Sequence, residues 1–454
     1  MTNYVNVVKR REMAHGDTSV MQKWFRDQAR IKPGFFYDIQ VDENNEITSI
    51  FWADSVMIAD YACFGDFVSF DTTYRTNKQY MPLGIFVGFN HHKGTCVFGG
   101  ALLYEENTIA FKCLFESFMR CMNYKLPQTL MTDQAPAISA AVREVLPGVY
   151  DALCSWHIDQ NARKKLGARA TSFFFEEFNH LIRHVDIEAE FEYGWQRMLV
   201  SWFDSKPVSD FKWLQFIYGF RSQWSSAWVK SNFTAEKGTT QLSEQFNAFA
   251  RYYMKPDYSI TEMLRRFQSL VDDLRHNEKS RDFYMQNNSL DNRFKNSSLM
   301  RHAYLVFTPT VFRIIHDEYE AGMGYTVREI TEKQIGTTKV VEVQRWINKG
   351  SANATLVEEE VVYIDYEHQR FVKCSFRFLE NWGLVCRHVL RVMEVYGAFD
   401  HEFCHSIPGM YIKDRWTRSF KSPAPRLVNW LAMAKSLLLR SSSSAPANLK
   451  GILS

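Results

Sequence analysis

Apolar and polar positions alternate from Gly34 to Trp52. The run Phe35-Phe36-Tyr37-Asp38-Ile39-Gln40-Val41 enters a polar turn, Asp42-Glu43-Asn44-Asn45, and Ile47-Thr48-Ser49-Ile50-Phe51-Trp52 resumes the period of two. This pattern predicts a hairpin. Strand-like runs follow at 66–71, 83–90 and 95–104. A helical stretch at 108–122 then carries Ile109, Cys113, Leu114, Phe118 and Met122. Next come a strand at 128–132, a helix at 137–146, a short strand at 150–154 and a helix from about 156. Three strands, helix, strand, helix, strand predicts a mixed sheet flanked by helices.

Residues 159–238 break that rhythm. Their period is helical and they are rich in Phe and Trp, so they read as an all-α insertion. A helix over 241–254 follows, with Leu242, Phe246, Phe249, Ala250 and Tyr253 on one stripe, and then a long amphipathic stretch at 259–284. The Asn- and Ser-rich segment 285–298 reads as a linker, and a helix is expected near 300–318. Beyond it, Val340–Val343, Val361–Ile364 and Phe371–Lys373 are the strands of a small β module, before a final helix at 425–440 and a polar tail. The expected organisation is an arm with a short helix at 18–30 (1–33), an α/β core (34–285, insertion 159–238), a helical or linker region (286–335), a small α+β module (336–420) and a C-terminal helix with tail (421–454).

Composition narrows the class. A chain of 454 residues exceeds one ordinary core, and 46% apolar with 15% aromatic residues fills two or three. Lys and Arg number 54 against 51 acids, so any nucleic-acid surface is a local patch. The first thirty residues lack an apolar h-region, and no run of eighteen apolar residues occurs; neither standard secretion nor a membrane span is expected. Eight scattered cysteines argue for a reducing compartment, nuclear or cytosolic, over a disulfide scaffold.

Two predicted strands end on aspartates, Asp71 in Phe70-Asp71-Thr72-Thr73-Tyr74 and Asp133 in Thr132-Asp133-Gln134, while Glu244 opens a helix. Three carboxylates on separate elements are what a two-metal Mg2+ phosphodiester site needs, because hard cations take oxygen ligands and two of them clamp the attacking and leaving oxygens. Either aspartate alone also reads as a turn or helix cap, and an acid in a first helical turn is explained by the helix dipole. Cys154-Ser155-Trp156-His157 has metal-ligand spacing but is half a zinc site; a core cysteine beside a helix N-terminal histidine is the simpler reading. Cys374, Cys386 and His388 give three ligands of a Zn2+ tetrahedron; the fourth comes from His368, His401, Cys404, His405 or water, or does not exist. Without metal, they are thiols packed in a small core. Arg163-Lys164-Lys165 with Arg169, and Arg265-Arg266, are either a DNA-facing patch or ordinary solvated helix faces.

The order Asp, Asp, Glu resembles the core of DDE transposases with an RNase H-like fold. Taken with Phe35–Glu43, Val68–Tyr74, Cys154–His157, Thr239–Phe249, Cys386-Arg387-His388, Ile407–Ile412 and Arg415-Trp416-Thr417, the chain resembles the plant far-red-impaired-response related family, which is similar to Mutator-like element transposases. The resemblance covers about Phe35 to Trp416. It implies an N-terminal DNA-binding zinc module, an RNase H-like core and a C-terminal SWIM-type zinc finger. It also implies a nuclear, non-enzymatic transcription regulator in light signalling that works on DNA or chromatin and oligomerises with its relatives. Asp71, Asp133 and Glu244 match its acidic triad; Cys374, Cys386 and His388 match three SWIM ligands. Two departures follow. Phe376 stands where the SWIM pattern has its second cysteine, which puts zinc in question. The chain also starts near the linker before the core, so autonomous sequence-specific DNA binding is not expected of it. Two rival readings are an active strand transferase using two Mg2+ and a truncated modulator of full-length relatives.

Overall fold

The computed structural model describes residues 19–41, 47–73, 77–78, 81–202, 208–235, 246, 249–287, 293–330, 338–347, 354–365, 370–397 and 406–420. A helix, α1, covers 19–31. The alternating runs then form β1 (Phe36–Val41) and β2 (Ile47–Ala53), paired antiparallel. The predicted runs that follow become β3 (Phe67–Thr73), β4 (Leu83–Phe89), β5 (Thr95–Leu103), α3 (Thr108–Cys121), β6 (Thr129–Thr132), α4 (Pro136–Val145), β7 (Tyr150–Leu153) and α5 (Ser155–Leu166). One seven-stranded sheet results, in the order β1-β2-β5-β4-β3-β6-β7. Pairing is antiparallel from β1 to β3 and parallel at β3–β6 and β6–β7, so the sheet is mixed. Every residue of β4 is buried, which is why its sequence reads as a continuous apolar run and not as an alternation.

A helix that the pattern did not predict, α2 (Ser55–Phe64), sits between β2 and β3. Its buried Met57, Ile58, Tyr61 and Phe64 leave no clean polar face for periodicity to detect. The local signal was Asp54, whose carboxylate caps the helix by accepting from the backbone N–H groups of Val56 and Met57 at 3.0 and 2.9 Å. Asp54 also takes both arms of Arg275, at 2.6 and 2.9 Å. Burial pushes the Asp54 carboxyl up, but the Arg275 guanidinium outweighs it and holds the group below its ordinary value.

Beyond β7 the chain is helical: α6 (Ser172–Arg183), α7 (Glu188–Trp202), α8 (Val208–Tyr218) and two short turns, α9 (Arg221–Trp224) and α10 (Ser226–Val229). These helices have their own apolar centre, in which Phe178, Phe191, Trp195 and Trp224 pack with ring centroids 5.7–6.4 Å apart. A helical turn, α11, covers 249–253, and the long amphipathic stretch becomes α12 (Ile260–Asn287). It crosses the sheet where Phe267 meets Trp52 edge-on at 5.3 Å. Gly100 of β5 lies under that pair; a Cβ there would stand 2.5 Å from the Trp52 ring.

The helix expected near 300–318 is two helices, α13 (Ser298–Val306) and α14 (Pro309–Gly322). The break falls on Thr308, which precedes proline and is extended (φ −61°, ψ 157°), as the proline ring demands of its neighbour. Strands β8 (Tyr325–Glu329), β9 (Thr338–Ile347), β10 (Thr355–Asp365) and β11 (Arg370–Cys374) form an antiparallel sheet in the order β11-β10-β9-β8. β8 was absent from the predicted pattern, being five residues long and exposed at its end. The short α15 (Phe378–Trp382) and α16 (Arg387–Gly397) complete this module, and its apolar residues merge with those of the large sheet into one continuous core. The helix expected at 425–440 and the tail lie outside the described residues.

Asp54→Ala removes a helix cap and leaves the largely buried Arg275 guanidinium with the longer contact to Asp272 at 3.9 Å. Loss of roughly 3–5 kcal/mol is expected in urea unfolding, the range for breaking a buried ion pair. Asp54→Asn, which keeps an acceptor for the cap, should lose less.

Candidate functional site

The acidic pair is placed by strand register. β3 and β6 run parallel with Phe67 opposite Thr129, Val68 opposite Leu130 and Ser69 opposite Met131. Two residues further along each chain, Asp71 and Asp133 emerge level at the same end of adjacent strands. Asp71 is still within β3, opposite Ile85 of β4, and its Oδ1 accepts from the Thr72 backbone N–H at 2.9 Å. Thr72 Oγ1 donates in turn to Glu106 Oε1 at 3.0 Å. Asp133 lies just past β6, where its Oδ1 accepts from the Ala135 N–H at 3.2 Å and shapes the entry to α4. Its carboxyl is raised, first by burial and then by the like charge of Asp71. Two carboxylates so arranged favour a shared proton, a cation or a cationic side chain between them.

A cationic side chain is available. His157, in the first turn of α5, feels both aspartates and the neighbouring Cys154. Burial pulls its pKa down, but the Cys154 hydrogen bond and the field of Asp71 and Asp133 outweigh burial and bring it to about 9. At neutral pH it is an imidazolium facing two acids. In sequence His157 has no part in the site: Cys-x-x-His reads as a core cysteine beside a helix N-terminal histidine, and nothing in the spacing reveals the nearby aspartates. Glu244, the third predicted acid, lies outside the described residues; Phe246 and Ala250 of the same segment are buried.

The basic cluster is placed away from this point. Arg163, Lys164 and Lys165 occupy the last turn of α5, exposed, seven residues and so about 10 Å along the axis from His157. Arg163 pairs with Asp159 at 2.9 Å and covers the Phe175 ring at 4.7 Å, while Arg169 pairs with Asp210 at 2.9 Å. Arg265 and Arg266 both pair with Glu262 on α12. Lysines in a last turn also complement the helix dipole, a structural reason for two of these charges.

The second constellation converges closely. Cys374 closes β11, Cys386 precedes α16 and His388 lies in its first turn; their ligand atoms all fall within 4.8 Å of one another, and all three residues are buried. Cys374 Sγ lies 3.8 Å from His388 Nδ1. Burial raises the Cys386 thiol, but hydrogen bonds from Cys374 and His388 outweigh it and lower it to about 6. His388 is pulled down by burial and lifted to about 9 by Cys386 and Glu358, and the Cys374 thiol is pushed up by its bond to Cys386. The pair is therefore a thiolate and an imidazolium. Glu358 on β10 stands 3.3 Å from His388 Nε2, the carboxylate that orients a ligating histidine in metal centres. Two sulfurs and one imidazole fit three corners of a Zn2+ tetrahedron. Phe376 sets its ring edge-on to His388 at 5.1 Å and offers no ligand atom. His368, His401, Cys404 and His405 lie outside the described residues.

Residues 67–161, from β3 into α5, match the MULE transposase domain. Over most of its length the chain is similar to proteins of Arabidopsis thaliana. It is 27% identical to FAR1-related sequence 5 across 91% of this chain and 50% of that protein, and 27% identical to FAR1-related sequence 7 across 92% and 52%. It is 26% identical to far-red impaired response 1 across 90% and 47%. The chain thus spans about half the length of these curated relatives. The family resemblance read from the motifs is borne out: the chain is similar to FAR1 and FAR1-related proteins over most of its length and matches a MULE transposase domain in its core.

Asp71→Asn removes a like charge from Asp133 and a counter-charge from His157, so the pKa values of both should fall, as read by side-chain NMR titration. At the thiol site a bound metal replaces protons on all its ligands, so retention should begin to weaken as pH drops below about 9, where His388 protonates, and fall more steeply below about 6, where Cys386 does too. Zinc release followed by a chromogenic chelator checks this, and Cys386→Ser should lose that zinc at all pH values.

Proposed function

We propose that this FAR1-like chain acts as a nuclear transcription regulator, with its transposase-derived core serving as a non-catalytic scaffold for DNA or protein partners. One observation carries the reading: the similarity to FAR1-related sequences is continuous, running through the core sheet, the helical insertion and the C-terminal module together. The name far-red impaired response 1 connects that relative to far-red light, and light-responsive gene control is the setting proposed here. The sheet order β5-β4-β3-β6-β7, antiparallel and then parallel, supports an RNase H-like core over about 34–285, interrupted by helices at about 159–238. Cys374, Cys386 and His388 support a SWIM-like unit over 336–420 that holds Zn2+ through three side chains and a fourth ligand other than Phe376. Partners are DNA or chromatin and further copies of family members. The Arg163–Lys165 turn is a minor part of any DNA surface, given its distance from the acids.

A catalytic reading has one specific support. Asp71 and Asp133 remain side by side at the ends of adjacent strands, and Asp133 is raised by burial and then by Asp71, a repulsion that a bound divalent cation would relieve. In that reading Asp71, Asp133 and Glu244 would hold Mg2+, which would supply activation of water and then of a DNA 3′-hydroxyl as nucleophiles. The test is nicking and strand transfer by the full chain on terminal-repeat DNA with Mg2+ or Mn2+, beside Asp71→Asn and Asp133→Asn. The scaffold reading expects no metal-dependent cleavage from any of the three, and unchanged reporter transcription in plant nuclei for both variants. Cleavage by the parent chain that vanishes in both variants overturns it.

A further inference from the structure

Outside both constellations, a third group of ligating side chains is drawn together at the turn between β4 and β5. His91 and His92, both buried, turn their rings side by side with centroids 4.0 Å apart. Their Nε2 atoms converge on a single oxygen, Asp282 Oδ1 of α12, at 2.7 and 2.8 Å. Glu278, one turn earlier on α12, presents Oε1 to the other nitrogen of His91, Nδ1, at 3.7 Å. We propose that His91, His92 and Asp282 form a binding site for a divalent transition cation, Zn2+ being the best match to two imidazoles and a carboxylate.

The geometry supports this in three steps. First, with metal–ligand bonds of about 2.1 Å, neighbouring ligand atoms stand about 3.0 Å apart in an octahedral centre and about 3.4 Å in a tetrahedral one. The observed 2.7 and 2.8 Å need only a small withdrawal of Asp282, whose side chain is 29% exposed and free to turn outward. That exposure also leaves an entry path and room for water as the remaining ligand. Second, the three ligand atoms come from two separate elements, the β4–β5 turn and α12, yet all lie within 4.8 Å of one another, close enough to share one cation. Third, metal on Nε2 of His91 fixes the tautomer with the proton on Nδ1, and Nδ1 is the atom that Glu278 faces. This is the carboxylate–histidine–metal arrangement of known centres. Each ring would bind through the Nε2 lone pair of its neutral Nδ1–H tautomer.

The ligands lie at a junction. The His91 backbone carbonyl accepts from Thr308 Oγ1 at 2.8 Å, at the break between α13 and α14. Arg281 reaches the His92 carbonyl at 3.4 Å. A cation here would clip the β4–β5 turn to α12 and stiffen the seat of the C-terminal module, a structural role independent of the acids at Asp71 and Asp133.

Co2+ titration of the full chain tests the proposal, with Cys374→Ser/Cys386→Ser used to silence the thiol site. The double variant should bind one equivalent, with weak visible bands and no thiolate charge-transfer absorption, and should melt at higher temperature when loaded. Adding Asp282→Asn should weaken that binding about 100-fold, and Glu278→Gln about 10-fold, the range for loss of an outer partner. If the double variant is unfolded by circular dichroism, the thiol-intact chain and its His92→Gln form are compared by bound metal, and one equivalent fewer in the latter is expected. A folded double variant that takes up no Co2+ or Zn2+, or equal metal in the parent and His92→Gln forms, overturns the proposal and leaves a hydrogen-bonded cluster.

Discussion

The parallel pairing of β3 with β6 is the constraint on which the acidic site depends. β3 is held on its other edge by antiparallel β4, so its register is fixed from both sides. A slip of one residue would turn Asp71 to the opposite face of the sheet and bury a lone carboxylate against Phe86 and Phe115, where Phe70 now packs. Those rings pack with centroids 4.6–6.1 Å apart, and their fit resists the slip. The acid pair is thus positioned by an apolar cluster a few ångströms beneath it. A functional claim about Asp71 and Asp133 is first a claim about how that cluster packs.

The same logic couples the second module to the first. Arg415, buried, pairs with Asp66 at the start of β3 and donates to the Phe89 carbonyl at the end of β4, at 2.7 Å. Asn381 of α15 accepts from the backbone N–H groups of Thr234 and Ala235, at the end of the helical insertion, at 3.0 and 2.8 Å. Its side-chain amide donates to Thr234 Oγ1 at 2.8 Å. Arg387, between the two ligand positions of α16, forks onto Glu318 of α14 at 2.7 and 3.1 Å. The thiol site therefore sits inside a network of buried polar contacts that reach both other units, and filling it would be felt across them.

Much of this was legible in sequence where the period of the element matched its burial. β1 alternates and is half-buried along its length; β2 alternates in sequence although it is covered almost throughout; β4 and β5 do not alternate, and their apolar runs bounded by Asn90–Gly94 still identified them. The strand-end aspartates were legible because a buried strand ending in an acid is a costly pattern that needs a reason. α2 was missed because nearly all its sides are covered, and its cap partner Arg275 lies more than two hundred residues away. The break at Thr308 was visible as Thr-Pro and was passed over in favour of one longer helix. The His91, His92 and Asp282 convergence could not be read in one dimension, since only the crossing of α12 over the sheet brings it about.

Two of the three constellations share a device that their sequences did not advertise. His157 beside the aspartates and His388 beside Cys386 are both raised to about 9. Each therefore supplies an internal cation that offsets part of the negative charge of its site without metal. The sign of the consequence is fixed. Each folded pKa lies above the ordinary histidine value of about 6.5, so the stabilising charge is fully present below that pH and is lost as pH rises through about 9. A divalent cation at either site must displace that proton or move that ring. Metal binding and imidazolium are thus alternative solutions to one electrostatic problem, and a fold that keeps buried acids and a thiolate without metal needs such an alternative to remain stable.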